Sequence, residues 1–154
     1  MRGLVIFDTR TGYTQAIAMA IGDVLSGSLE IQVVPVRAAL HAGLGDLHLL
    51  VVGGPTEAHG ATPALRELLD GLGHGTLADL AAAAFDTRLH WPKVLSGSAA
   101  DEAARALEAA GCRLILPPES FFVRDLSGRP DPEELGRARA WAMRLDAALP
   151  VPVG

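Results

Sequence analysis

Apolar residues along the chain fall into short continuous runs alternating with stretches of helical spacing. Leu4-Val5-Ile6-Phe7 is one such run, closed by the turn-rich Asp8-Thr9-Arg10-Thr11-Gly12. Ile17, Ala20, Ile21, Val24 and Leu25 then recur every three or four positions, which predicts a helix from about Thr14 to Leu25. Ile31 to Pro35 alternates as a half-buried strand near a sheet edge, where Pro35 is tolerated. Leu49-Leu50-Val51-Val52 reads as a strand buried on both faces and closed by Gly53-Gly54-Pro55. Thr62-Pro63 opens a helix that runs through Leu65, Leu68 and Leu69 to Gly71. Ser98 caps another, stopped by Gly111. Asp131-Pro132 opens the last, with Leu135, Ala138, Trp141, Ala142 and Leu145 as its inward stripe. Asp101-Glu102 and Glu133-Glu134 lie in first helical turns, where carboxylates suit the dipole.

Two segments resist this pattern. Leu77 to Phe85 is alanine-rich and has the propensity of a helix, yet its place between two helices predicts a strand. Leu114-Ile115-Leu116 and Phe121-Phe122-Val123 read as one strand interrupted around Pro117-Pro118. Strand alternating with helix five times is the pattern of an α/β domain, with a parallel sheet and helices on both faces. Residues 1–149 are expected to form a single domain, with 150–154 as a short tail.

Composition removes several function classes. The formal charge is −5, and the thirteen basic residues are scattered singly, with Lys93 the one lysine, so neither nucleic acid nor an anionic membrane is an expected partner. No run approaches the roughly 18 apolar residues of a membrane span, and the N-terminus does not read as a signal peptide. Cys112 stands alone and the five histidines lack metal-ligand spacing, so no disulfide or metal site is expected and a reducing, cytoplasmic setting is.

Ligands of such sheets bind at the carboxyl ends of the strands, which directs attention to three loops: Asp8–Thr14, Gly53–Ala61 and Asp86–Gly97. In the first, Thr9, Thr11 and Thr14 surround Gly12 just before a helix. Hydroxyls and helix N-terminal N–H groups together can seat a phosphate, and the same residues can simply cap the helix; spacing alone favours neither. The third loop offers Arg88, His90, Trp91 and Lys93. No GxGxxG follows a strand, no glycine–lysine pair suits a Walker A loop, and no GxSxG is present.

The stretch Val5-Ile6-Phe7-Asp8-Thr9-Arg10-Thr11-Gly12-Tyr13-Thr14, followed by Ala18 and Ile21, resembles the flavodoxin signature. Gly53-Gly54-Pro55-Thr56 is similar to a loop of several flavodoxin-like families. Ala84-Phe85-Asp86-Thr87-Arg88, Ser96-Gly97-Ser98-Ala99-Ala100 and Pro118-Glu119-Ser120-Phe121 resemble a flavodoxin-like group from actinobacteria. The resemblance extends over nearly the whole chain. It implies a doubly wound five-stranded parallel sheet of order 2-1-3-4-5 that binds FMN. By that resemblance the phosphate lies against Thr9, Arg10, Thr11, Gly12, Tyr13 and Thr14. The flavin lies between Pro55, Thr56, Glu57, Ala58, His59 and Gly60 on one side and Asp86, Thr87, Arg88 and Trp91 on the other.

The pattern departs from the family at two places. Tyr13 stands where asparagine is frequent, and a phenol there could still donate a hydrogen bond to the phosphate. The third loop lacks the glycine-rich, tyrosine-bearing form, leaving Trp91 either to cover a ring face or to pack on the surface beside Pro92. A carboxylate of Glu57 or Asp86 about 6 Å from the ring would oppose an added electron by about 2.8 kcal/mol at an effective dielectric near 20. The resulting expectation is an FMN-binding electron carrier without acid–base catalytic residues, working between a reductase and an electron acceptor. The alternatives are an FMN-dependent NAD(P)H quinone or azo reductase and an interaction module that has lost FMN. Nothing in the pattern fixes an oligomeric state.

Overall fold

A computed structural model describes residues 1–39, 43–57, 60–124 and 127–150. Its elements are β1 (Arg2–Phe7), α1 (Tyr13–Leu25), β2 (Glu30–Pro35), α2 (Val36–Ala39), β3 (Leu49–Pro55), α3 (Pro63–Asp70), β4 (Ala81–Arg88), α4 (Lys93–Ser96), α5 (Ala99–Ala109), β5 (Arg113–Leu114), β6 (Glu119–Phe122) and α6 (Pro132–Ala148). All strand pairs are parallel, in the order β2-β1-β3-β4-β5. The fifth position is filled in two pieces: β5 pairs with Ala81–Ala82, and β6 with Phe85–Arg88. Pro117-Pro118, without N–H donors, lies in the gap between the pieces.

The period of two along each strand sends alternate residues to two cores. Leu4, Ile6, Leu50, Val52, Ala82 and Ala84 face the side of α3 and α5, packing with Leu65, Leu69, Ala103 and Leu107. Val5, Phe7, Val51, Ala81, Ala83 and Phe85 face α1 and α6, packing with Ile17, Ile21, Trp141 and Leu145. β2 lies at the edge and alternates between exposed and half-buried positions, as Pro35 predicts.

The alanine run is a strand because it sits between β3 and the fifth position, with helices on both faces. Ala82 and Ala84 are buried on the α5 side, and such small side chains let Ala99 and Ala103 of α5 approach closely. The strand begins at Ala81, however, four residues later than the sequence pattern suggests. Leu77 and Asp79 donate their N–H groups to Ala110 and Gly111, and Asp79 takes a positive φ of 63°, which no strand allows.

At the upper ends of β3 and β4, Gly53 lies opposite Phe85. A Cβ on Gly53 would stand 2.1 Å from the Phe85 ring, so only glycine leaves room for it. That ring meets Phe121 and Trp141 edge-on, each with centroids 6.1 Å away. Such pairs contribute about 0.5–1.5 kcal/mol each beyond burial. They hold rigid the strand ends from which the loops depart.

The three expected caps form: Thr62 accepts from Leu65 N, Ser98 from Asp101 N and Asp131 from Glu133 N. On α6 the inward stripe differs, because Leu135 is only half-buried while Glu134 is buried. The Glu134 carboxylate accepts from Phe122 N at 3.1 Å and from Arg137 Nη1 at 2.5 Å, and Arg137 Nη2 donates to Ser120 O. Side chains thereby satisfy the outer edge of β6, which would otherwise offer itself to another strand. Val151–Gly154 of the expected tail lie outside the described residues.

Candidate functional site

Because the strands are parallel, the loops after β1, β3 and β4 all leave the same end of the sheet. The order reverses between β1 and β3, which makes that end a switch point. The first loop turns into α1 through Gly12, at φ 92°, a conformation glycine adopts without strain. Gly12 has no side chain with which to cap the helix. Its own N–H donates to Thr9 Oγ1 at 3.0 Å, and Thr9 N donates to Asp8 Oδ1 at 2.9 Å. Among the described residues, the N–H groups of Arg10, Thr11, Tyr13, Thr14 and Gln15 have no acceptor. With the helix dipole behind them, these donors have the chemistry to receive an anion. Thr11 is exposed, and the β6–α6 connection passes so near that a Cβ on Gly128 would lie 2.5 Å from Thr11 O.

Two side chains of this loop turn inward. Thr14 is buried, and its hydroxyl shares a 2.6 Å hydrogen bond with Thr87 Oγ1 at the end of β4. Two hydroxyls need one hydrogen for that bond, so the pair has a second to give. Tyr13 requires a correction: its phenol, which the resemblance set against the phosphate, does not reach that turn. It is buried in the α1–α6 core and donates to Phe122 O at 2.7 Å, completing the edge protection of β6. Burial pushes this phenol above its ordinary pKa. Only the Tyr13 backbone N–H remains at the turn.

The second loop is pinned at its base. Thr56 N donates to Thr87 O at 2.9 Å, and Thr56 Oγ1 donates to Asp86 Oδ2 while accepting from Ala99 N. Pro55, half-buried, ends β3 opposite Thr87. Glu57 and Gly60 exchange two backbone hydrogen bonds of 2.8 and 2.7 Å, making a tight turn; Ala58 and His59 lie outside the described residues. Ala61 N donates to Glu102, which also binds Arg66. Glu57 reaches across to the first loop: Arg10 Nε and Nη2 donate to its two oxygens at 2.7 and 3.1 Å. Glu57, and less strongly Asp8, hold the Arg10 guanidinium above its ordinary pKa. The repulsive carboxylate expected at Glu57 is therefore paired with a cation.

The third loop begins with polar side chains that turn into the protein. Asp86 is wholly buried, a second correction, since it was expected near the flavin. Its Oδ2 accepts from Thr56 Oγ1, Ser98 Oγ and Ala100 N at the N-terminus of α5, and its Oδ1 has no partner among the described residues. Arg88 is a loop staple: its guanidinium donates to Ser120 Oγ, Trp91 O and Ser96 Oγ, and lies over the Phe122 ring at 5.6 Å. His90 also packs on Phe122, with ring centroids 4.2 Å apart. Trp91 is the one described phenylalanine, tyrosine or tryptophan that is largely exposed, at 59 %. A cavity of about 440 Å³ opens between it and Phe122–Arg124.

Loops one and two, Thr87 and Trp91 thus gather at one end of the sheet, whereas Tyr13, Asp86 and Arg88 serve beneath or beside that end. Sequence reasoning missed Asp8, whose carboxylate also accepts from Thr62 Oγ1, and the contact of Gly128 with Thr11. It read Thr62 and Ser98 as caps, which they are, without the carboxylates they also bind. Among the described residues no group of three or more histidines, cysteines or acids could hold a metal, and no helix is long and apolar enough to cross a membrane.

No protein-family model and no curated protein matches the chain. Solved structures do. Oxidised flavodoxin 1 from Bacillus cereus superposes with a TM-score of 0.80 at 18% identity, over 97% of this chain and 100% of that one. A flavodoxin from the domain Archaea gives 0.75 at 16% identity, covering 97% and 99%. The rubredoxin oxygen:oxidoreductase of Desulfovibrio gigas gives 0.76 at 17% identity, over 97% of this chain but 37% of that longer one. In strand order and in extent, the chain has the fold of the flavodoxins.

Proposed function

We propose that this chain is an FMN-binding electron carrier. The observation that carries the reading is the turn into α1, where successive N–H groups lack internal acceptors beside the hydroxyls of Thr9 and Thr11. Gly12 leaves this turn open, since a Cβ there would meet nothing within 4 Å. A phosphate monoester suits that donor set, so the residues present fit FMN. Thr9, Arg10, Thr11, Gly12, Thr14 and the Tyr13 N–H hold its phosphate. Pro55, Thr56, Glu57, Gly60 and Thr87 line the flavin, with Trp91 against a ring face. Asp86 and Arg88 support this site from beneath without touching the ligand. FMN, when bound, supplies one- and two-electron redox chemistry. The protein contributes binding, orientation and a local charge balance in which Arg10 offsets Glu57.

Flavodoxins and a rubredoxin oxygen:oxidoreductase among the fold's solved members support an electron-transfer role. A reductase and an electron acceptor, both redox proteins, are its partners, and the cytoplasm is its setting. Titration of the purified protein with FMN tests the reading: flavin fluorescence is expected to be quenched and its visible spectrum to shift. No change in either would leave an interaction module without FMN. Steady NAD(P)H oxidation by the FMN-loaded protein alone would replace the carrier by a quinone or azo reductase.

A further inference from the structure

Arg10 and Glu57 join the first loop to the second, and the two differ in what holds them. Glu57 stands on a rigid base: its backbone exchanges two hydrogen bonds with Gly60, and the loop is anchored through Thr56 to Thr87 and through Ala61 to Glu102. Arg10 has no such support. Its side chain is 57 % exposed, and its only hydrogen bonds among the described residues run to Glu57. The pairing uses Nε and Nη2 side-on, in the parallel fork that fixes a guanidinium in one orientation. Nη1 is left without a partner among the described residues, on a side chain set between Thr9 and Thr11.

We propose that Glu57 is a positioning residue that makes the site selective for a phosphorylated flavin, by holding the Arg10 guanidinium ready for the phosphate. The inference rests on the FMN reading and deepens it. Simple charge counting predicts the opposite. Glu57 is an anion beside a site for an anion, and Asp8 adds a second at the base of the same loop. Removing Glu57 should then tighten FMN binding. Pre-organisation predicts a loss, because an exposed arginine released from its fork must be ordered again when ligand binds. The sign of the effect separates the two.

The experiment is a fluorescence titration with FMN and with riboflavin, which lacks the phosphate. The unchanged protein is compared with Glu57→Gln, Arg10→Gln and the double variant, each checked for its thermal midpoint. Glu57→Gln is expected to weaken FMN binding by about three- to tenfold, the range for one immobilised side chain. Riboflavin affinity should fall less than FMN affinity, so that the preference for FMN narrows, and the double variant should bind FMN no worse than Arg10→Gln alone. Tighter or unaltered FMN binding by Glu57→Gln would overturn the proposal. So would an equal loss for riboflavin, which would mean a distorted loop. If the unchanged protein binds FMN and only these ratios fail, the positioning role falls alone. If it binds neither flavin, the FMN reading fails and takes this inference with it.

Discussion

The first and third loops leave the same end of the sheet and use their polar groups in opposite ways. In the first, side chains turn inward or pair locally while a row of backbone N–H groups is left open to the outside. In the third, Asp86 and Arg88 face into the protein, where they bind Thr56, Ser98, Ala100, Ser120 and Ser96, and a tryptophan is left outside. Polar recognition is therefore concentrated where a phosphate would sit. On the proposed FMN reading, the ring end relies on apolar contact from Trp91 and the backbone of the second loop. The division shows how one site can be rigid at both ends with different means: main-chain donors set by a helix, and a loop braced from beneath.

Substitutions that act on one side of this division and not the other test it. The largest effect is expected for Asp86→Ala. It removes a wholly buried carboxylate and leaves the Thr56 and Ser98 hydroxyls and the Ala100 N–H without their acceptor. Hydrogen bonds to buried charged groups contribute about 1.5–3 kcal/mol each and do not add fully, so urea unfolding should show a loss of about 3 kcal/mol. A loss below about 1 kcal/mol would mean that the third loop is not braced through this group.

Trp91→Ala should behave inversely. An indole that is 59 % exposed contributes little to stability, and the unfolding midpoint should not move. FMN affinity should fall by about three- to tenfold, the equivalent of one aromatic stacking contact. Unchanged affinity would remove Trp91 from the site.

Tyr13→Phe lies on the first loop yet should act as a core change. Losing the bond to Phe122 O costs about 1 kcal/mol in stability, with FMN binding unaltered. A marked loss of FMN affinity would restore the phenol to the phosphate. The smallest effect is in alkaline solution. Burial raises the pKa of both Cys112 and Tyr13, so the unfolded chain releases these protons first. Their contributions are full below the ordinary values and are lost above them, from about pH 8.5 for the thiol and about pH 10 for the phenol. Tyr13→Phe should flatten the upper part of that decline in a series of urea titrations.

Much of this was legible in the chain. Val5 to Thr14 announced a strand, a glycine turn and a helix start, because each is a local preference: apolar continuity, the freedom of Gly12, and helical spacing from Ile17 onward. Thr62, Ser98 and Asp131 marked their helices for the same reason. The alanine run illustrates the limit, since its propensity favours a helix and its neighbours β3 and β5 make it a strand from Ala81 onward. Glu134 is a second case. Its place in a first helical turn suits the dipole, but nothing local says that it will be buried against Phe122 N.

Sequence by itself determined the alternation of strand and helix, the parallel sheet that follows from it, and a threonine-rich glycine turn ahead of the first helix. Tertiary structure alone decided which way the polar side chains of that turn and of the third loop point. Tyr13 goes to the β6 edge, Thr14 to Thr87, Asp86 to the N-terminus of α5 and Arg10 to Glu57. The physical reason is separation along the chain: each partner lies between 14 and 109 residues away. No local pattern encodes a hydrogen bond that exists only once the sheet has brought those segments side by side.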